Sequence, residues 1–176
     1  DGNSNDTQCA YALPLAYDVF EEKYRSQAFA HLARKTKEAD HTVHTGFFGT
    51  GVLNPMLSAG GYHNLAYALI QQTKYPSWLY PVTQGATTIW ERWNSYTKEA
   101  GFGGNNSMNS FNHYSLGSVL SWMYETVLGI RRDETHPGYE HFYLEPQMQS
   151  LDFAKGGFET VYGRIESRWE RTETGY

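Results

Sequence analysis

Ser115-Leu116-Gly117-Ser118-Val119-Leu120-Ser121-Trp122-Met123-Tyr124-Glu125-Thr126-Val127-Leu128-Gly129-Ile130 places apolar side chains at Leu116, Val119, Leu120, Met123, Val127 and Ile130. This is the i, i+3, i+4, i+7 spacing of a helix with one covered face, kept up over about four turns, and Gly129 stands where such a helix would end. Upstream, the same period recurs in shorter pieces. Cys9, Leu13, Ala16, Tyr17, Phe20 and Tyr24 predict a first helix, with Pro14 in an early turn or at a kink. Ala28, Phe29, Leu32 and Ala33 predict a second, whose Lys, Arg and Glu neighbours belong in water. Gly49, Val52, Leu53, Met56 and Leu57 predict a third, stopped by Gly60-Gly61, and Leu65, Ala66, Leu69 and Ile70 a fourth. After Pro137-Gly138 the period becomes two. Ile165, Ser167 and Trp169 alternate with Arg164, Glu166, Arg168 and Glu170, as in a strand covered on one face. His141 to Glu145 is expected to form another strand, and Gly156-Gly157 a hairpin turn.

Composition narrows the function classes. At 176 residues the chain can hold one domain with a real core and is short for two independent ones. Tyr alone supplies 14 residues, and a Tyr- and Trp-rich, Lys- and Arg-poor composition suits carbohydrate better than phosphate. A formal charge of −5 with no basic run argues against nucleic acid or anionic membrane as a partner. Cys9 is the single cysteine, so neither an internal disulfide nor a cysteine-based metal site is available. No apolar run nears the roughly 18 residues that span a bilayer, and Asp1-Gly2-Asn3-Ser4-Asn5 lacks a signal pattern. Cytoplasmic and secreted locations both stay open. Asn5-Asp6-Thr7 and Asn105-Asn106-Ser107 match the short N-glycosylation acceptor pattern.

Candidate chemistry gathers in Tyr75-Pro76-Ser77-Trp78-Leu79-Tyr80-Pro81 and the following Gly85-Ala86-Thr87-Thr88-Ile89-Trp90-Glu91-Arg92-Trp93. One carboxylate lies between two indoles beside a hydroxyl-rich turn. Indole faces offer rigid platforms for a pyranose ring, and Glu91 can accept a proton or bind hydroxyls. The plainer alternative is a packed loop whose indoles are core and whose Glu91 pairs with Arg92. Other chemistries have less support. His41 and His44 have an i, i+3 spacing without an obvious third ligand, so they are expected as loop histidines and no metal or cofactor is expected. Thr45-Gly46-Phe47-Phe48-Gly49-Thr50-Gly51 lacks the ending of a phosphate loop and is expected as a tight connection between helices. No Gly-x-Ser-x-Gly elbow occurs.

Taken in order, Thr45 to Thr50, Tyr75 to Trp93, and Met108-Asn109-Ser110-Phe111-Asn112-His113-Tyr114 closely resemble the α-L-rhamnosidases of glycoside hydrolase family 78. Gly138-Tyr139 to Pro146 and Tyr162-Gly163 to Trp169 resemble that family's exit into a β-domain. The resemblance implies a mainly α fold, part of an (α/α)6 barrel of the six-hairpin glycosidase kind, followed by a few strands of a C-terminal β-sandwich. It divides the chain at 1–137 and 138–176. It also implies an inverting glycoside hydrolase that removes terminal α-L-rhamnose from glycosides or polysaccharides. Glu91 then matches the general base, Trp90 and Trp93 shape the pocket, Arg92 helps keep a carboxylate ionised, and His113 contacts the sugar. For His113 the alternative is a helix-entry residue whose imidazole bonds nearby backbone, with Ser110 or Asn112 as cap.

Two expectations follow from counting. Twelve helices of about 11 residues with their connections need well over 200 residues, so the chain is expected to be the last half of a barrel and the start of a β-domain. Its open edge, around Leu13, Tyr17, Phe20, Phe29 and Leu32, should then be buried by the missing half or another copy, or be left as an unusually large hydrophobic patch. The segment that carries the family's general acid also has no counterpart here; Asp1, Asp6 and Asp18 are carboxylates outside that motif. This leaves open a non-catalytic carbohydrate-binding or structural remnant, or another (α/α)6 glycosidase.

Overall fold

A computed structural model describes residues 5–103, 106–173 and 175; Asp1 and Asn105, named above, lie outside them. The chain divides into two compact units, residues 1–119 and 120–176. Among the described residues no helix is long and apolar enough to cross a membrane.

The first unit is helical. Its elements are α1 (Gln8–Ala16), α2 (Glu22–Glu38), α3 (Gly46–Ala59), α4 (His63–Gln71) and α5 (Leu79–Thr83), then a 3-10 turn at Ser115–Ser118. The hydroxyl of Thr7 caps α1 by accepting the Ala10 N–H at 3.1 Å, satisfying one of the donors that a helix start leaves open. The single first helix expected from the apolar stripe is two helices. Backbone helicity stops at Ala16, Asp18 takes a left-handed φ of 52°, and α2 starts at Glu22. Asp tolerates that conformation better than most residues, and here its carboxylate also pairs with Arg25 at 2.7 Å. The buried face of α1 is Gln8, Tyr11, Ala12 and Leu15, one step round from the expected stripe, while Tyr17 is 70% exposed.

The third and fourth helices match the sequence reading, with Gly60 as the C-cap of α3 and Gly61 beyond it at φ 82°. Thr45 to Thr50 differs: it is the start of α3, not a connection. The Thr50 hydroxyl donates to the Gly46 carbonyl at 2.6 Å and also meets the Thr45 hydroxyl at 3.0 Å. A Cβ at Gly49 would lie 2.7 Å from Thr45 Cβ and 2.9 Å from Cys9 Sγ, so α1 and α3 approach where one residue has no side chain. Leu15, Leu32, Leu53, Leu57, Tyr67 and Leu69 are fully buried in the chain, each Leu contributing about 1.5–3 kcal/mol on burial. The Asn54 amide donates to the Ala66 carbonyl at 3.0 Å and joins α3 to α4. The residues of the expected open edge differ in burial, Tyr17 being the most exposed of them. Leu32 is fully buried, Leu13, Phe20 and Phe29 are half-buried, and Phe29 lies against Gly60.

The long helix expected over 116–130 changes pitch twice. The 3-10 turn runs into α6 (Val119–Trp122) and then a π-turn at Met123–Val127, closed by Leu128 N–H to Met123 O at 2.9 Å. Its apolar positions suit several pitches, and the spacing alone does not choose among them. Ile130 is the first residue of a strand. Gly129, at φ 74°, makes the turn into it.

Among its described residues the second unit holds two antiparallel strand pairs. β1 (Ile130–Arg132) pairs with β2 (Phe142–Leu144), Ile130 opposite Leu144, and β3 (Phe153–Thr160) pairs with β4 (Gly163–Glu170), Phe153 opposite Glu170. The β3–β4 turn is Val161-Tyr162; Gly156 and Gly157 lie inside β3, opposite Ser167 and Glu166. They are bare for packing: a Cβ at Gly156 would meet Leu128 Cδ1 at 2.4 Å. Leu128, Ile130 and Ile165 form the core here, with Tyr124, Tyr139 and Ala154 around them. The alternation read in β4 holds, with Ile165, Ser167 and Trp169 buried. The Trp169 indole N–H donates to Val127 O at 2.7 Å and the Ser167 hydroxyl to Leu128 O at 2.6 Å.

Candidate active site

Residues 84–103 and 106–114 cross the first unit largely without regular structure, and backbone and side-chain hydrogen bonds give them their shape. Ile89 and Glu91 run beside Ser110 and His113. The Glu91 N–H donates to Ser110 O at 2.9 Å, and the His113 N–H donates to Ile89 O at 2.9 Å. The Thr88 hydroxyl also donates to Phe111 O. Asn109 extends the tie by donating from its amide to Ser95 O at 3.1 Å.

Glu91 is 7% exposed. Its Oε2 accepts the Ser110 N–H at 2.7 Å, so the same two residues bond in both directions. A carboxylate fixed by a backbone donor keeps its orientation without a long, mobile cation, and a carboxylate has capacity for further bonds beyond that one. Arg92, the sequence neighbour expected to help keep a carboxylate ionised, is half-buried. Its backbone N–H meets the Ser95 hydroxyl at 3.1 Å and its carbonyl accepts the Ser95 N–H at 3.2 Å.

The indoles divide between two settings. Trp90 is 6% exposed, with its ring edge-on to Phe111 at 5.3 Å and to Tyr96 at 6.4 Å, and Phe102 stands against both of those rings. Trp93 is half-buried and edge-on to Trp78 at 5.6 Å, whose indole N–H donates to Leu116 O at 2.7 Å. Trp78, Trp90 and Trp93 line one small cavity together with Pro81, Ile89 and Leu116. Its volume is about 40 Å³, too small to enclose a pyranose ring.

His113 stands two residues before the 3-10 turn. Its Nδ1 accepts the Ser115 N–H at 3.3 Å, which is the backbone bond of the plainer alternative, and which puts the proton of the neutral ring on Nε2. Phe47, from the first turn of α3, stacks on it at 5.1 Å and 22°, and Tyr114 at 5.3 Å and 9°. The structure therefore joins Glu91 and His113 through adjacent backbone, and joins the Thr45 to Thr50 segment to His113 through Phe47. Neither Phe47 nor Ser110 was expected in these roles. Both contacts link residues far apart in sequence, and only the grouping of their motifs hints at them.

Among the described carboxylates near the chain start, Asp6 and Asp18 are engaged. Asp6 accepts from the Tyr11 hydroxyl at 2.8 Å, which with Lys35 and Arg34 lowers its pKa to about 2, the reverse of what a general acid needs. Asp18 is exposed and paired with Arg25. His41 is half-buried at φ 59°, and exposed His44 meets the Thr42 hydroxyl at 2.9 Å; both are loop histidines, as expected. One titratable group passed over in the sequence lies in the second unit, where Asp133, His136 and His141 converge.

The chain matches two family models. Residues 2–127 match the bacterial alpha-L-rhamnosidase 6 hairpin glycosidase domain, and residues 129–176 the bacterial alpha-L-rhamnosidase C-terminal domain. It is 42% identical over 165 residues to an alpha-L-rhamnosidase of Formosa agariphila, covering 93% of this chain and 18% of that protein. It is 40% identical over 172 residues to one from Alteromonas sp. (strain LOR), covering 97% and 18%. Among solved structures it is similar to Streptomyces avermitilis alpha-L-rhamnosidase complexed with L-rhamnose, with a TM-score of 0.88 at 37% identity over 96% of this chain and 16% of that one. The alpha-L-rhamnosidase of Aspergillus terreus gives a TM-score of 0.87 at 38% identity over 95% and 19%. The chain thus spans less than a fifth of the length of these relatives.

Proposed function

The chain belongs to the α-L-rhamnosidase family, and on that premise we propose that it is part of an inverting α-L-rhamnosidase that releases terminal α-L-rhamnose from glycosides. The observation that carries the reading is the setting of Glu91: a carboxylate 7% exposed, aimed by the Ser110 N–H at 2.7 Å, inside the stretch that matches the glycosidase domain. In an inverting hydrolysis a base takes a proton from water on the face of the sugar opposite the leaving group, and an acid about 6.5–9.5 Å away protonates the departing oxygen. Glu91 is the base in this proposal. Trp90 and Trp93 shape the wall beside it, Arg92 lies on the same turn, and His113 offers an Nε2–H to a sugar hydroxyl. L-rhamnose is the natural ligand to test, because the relative from Streptomyces avermitilis was solved with it. The helices of this chain then form one portion of an (α/α)6 barrel, and the acid comes from another portion of that barrel, since Asp6 is held as a carboxylate by Tyr11, Lys35 and Arg34.

A second reading has its own observation. The cavity beside Trp90 and Trp93 holds about 40 Å³, too little for a pyranose, which favours a non-catalytic role for the chain by itself. One assay separates them. Hydrolysis of an aryl α-L-rhamnoside is measured with this chain alone and with the chain joined to the upstream part of a family enzyme. Turnover in the longer protein that is lost on Glu91→Gln supports the proposal, and turnover unaffected by that change removes Glu91 as base. No hydrolysis in either supports the non-catalytic reading, and hydrolysis of a different glycoside in a substrate panel supports another glycosidase of the same fold.

A further inference from the structure

The nine residues between β1 and β2 bring three metal-ligating side chains to one point. Asp133 Oδ2 lies 3.1 Å from His136 Nδ1 and 2.9 Å from His141 Nδ1, and the three groups' ligand atoms all fall within 4.8 Å of one another. Sequence spacing hides this set, because the 3-10 turn Pro137–Tyr139, with Gly138 at φ 78°, carries His141 back to the histidine before it. The Asp133 side chain is only 12% exposed, whereas both imidazoles are more than half exposed. Its other oxygen, Oδ1, accepts the Thr135 N–H at 2.9 Å and the Thr135 hydroxyl at 2.6 Å. Those two bonds use up one oxygen and aim the other at the histidines.

We propose that Asp133, His136 and His141 form a binding site for a divalent first-row transition ion, with zinc the probe of choice. The donor set fits. Two imidazoles and one carboxylate suit borderline ions such as zinc, and the Thr135 hydroxyl holds the carboxylate as an outer partner does in metal sites. The two distances from Asp133 fit as well. With metal–ligand bonds of about 2.1 Å, neighbouring ligand atoms stand about 3.0 Å apart in an octahedral set and about 3.4 Å in a tetrahedral one. The observed 2.9 and 3.1 Å lie at the octahedral end, and the exposed imidazoles have room to open. A bound ion would clamp the β1–β2 loop, and it is independent of the glycosidase reading because no residue is shared.

The test is calorimetric titration of the metal-stripped chain with zinc chloride, alongside His136→Gln, His141→Gln and His41→Gln. One ion per chain is expected. Affinity should fall on the order of tenfold or more in each of the first two variants and stay unchanged in His41→Gln. Far-UV circular dichroism checks that the variants fold. In the unmodified chain, zinc should shift the imidazole proton resonances of His136 and His141 before those of the other five histidines. Absence of saturable binding, or binding that both substitutions leave intact, would reduce the cluster to two imidazole N–H groups bonded to one carboxylate. First shifts at other histidines would have the same meaning.

Discussion

In the helical unit Glu91 is 7% exposed and accepts the Ser110 N–H, whereas in the strand unit Asp133, with a side chain 12% exposed, receives two bonds from Thr135 and faces two imidazoles. The two carboxylates are similarly enclosed but differently supplied. A carboxylate with spare lone pairs can take part in proton transfer; one ringed by donors is committed to staying charged. The units differ likewise in cohesion. The first depends on fully buried Leu15, Leu32, Leu53, Leu57 and Leu69, the second on a small cluster of Leu128, Ile130 and Ile165 beneath a surface of ion pairs.

The sharpest test of the carboxylate contrast is Glu91→Gln in a longer family protein that contains this chain. Its turnover should drop about 10²–10⁴-fold, with sugar affinity largely kept, and Asp133→Asn in the same protein should leave turnover unchanged. Equal losses from both would erase the distinction. Next in size is Leu57→Ala, which removes a fully buried side chain from α3 and should cost about 2–5 kcal/mol in denaturant unfolding. A cost below about 1 kcal/mol would mean that the helical core is loosely packed.

Acid should act more gradually. The Tyr11 hydroxyl, with Lys35 and Arg34, holds the Asp6 carboxyl down to about 2, below the ordinary carboxylate range, so the chain gains stability from its ionised form above about pH 4 and loses it as pH falls towards 2. Asp133 is also lowered and adds to the same window. A pH titration of unfolding in which Asp6→Asn flattens part of that slope would confirm the sign; a slope unchanged by the substitution would contradict it. The smallest effect should come from Arg168→Ala, which breaks an exposed pair with Glu170 and should change stability by no more than about 0.5 kcal/mol. A larger loss would mean that the strand unit draws more on its surface charges than its exposure implies.

Legibility followed periodicity. Leu65, Ala66 and Leu69 repeat at helical spacing on α4, and Ile165, Ser167 and Trp169 alternate on β4, because burial on one face leaves a trace in the order of residues. The break at Tyr17 left none, since Phe20 and Tyr24 continue the stripe across residues that are not helical. The pitch changes after Ser115 were equally silent. Gly156-Gly157 looked like a turn because paired glycines usually make one, yet there they admit Leu128 while Val161-Tyr162 turns the chain. At the candidate site, Glu91, Trp90, Trp93 and His113 came from motif resemblance. What holds them, Ser110 for the carboxylate and Phe47 for the imidazole, depends on contacts 19 and 66 residues apart in sequence, counted from 91 to 110 and from 47 to 113.

At Gly129 the chain leaves the π-turn at φ 74°, receives the Glu145 N–H at 2.9 Å, and passes so near the other arm that a Cβ would stand 2.2 Å from Pro146 N and 2.5 Å from Glu145 C. Both obstacles are main chain, which no change of rotamer can move aside. In a saturation library sorted for folded protein, codon 129 should therefore collapse to glycine alone, while the exposed codon 161 at the β3–β4 turn accepts broad replacement. That pair of positions would mark, within one sequencing run, where this fold has no freedom and where it has ample room to drift.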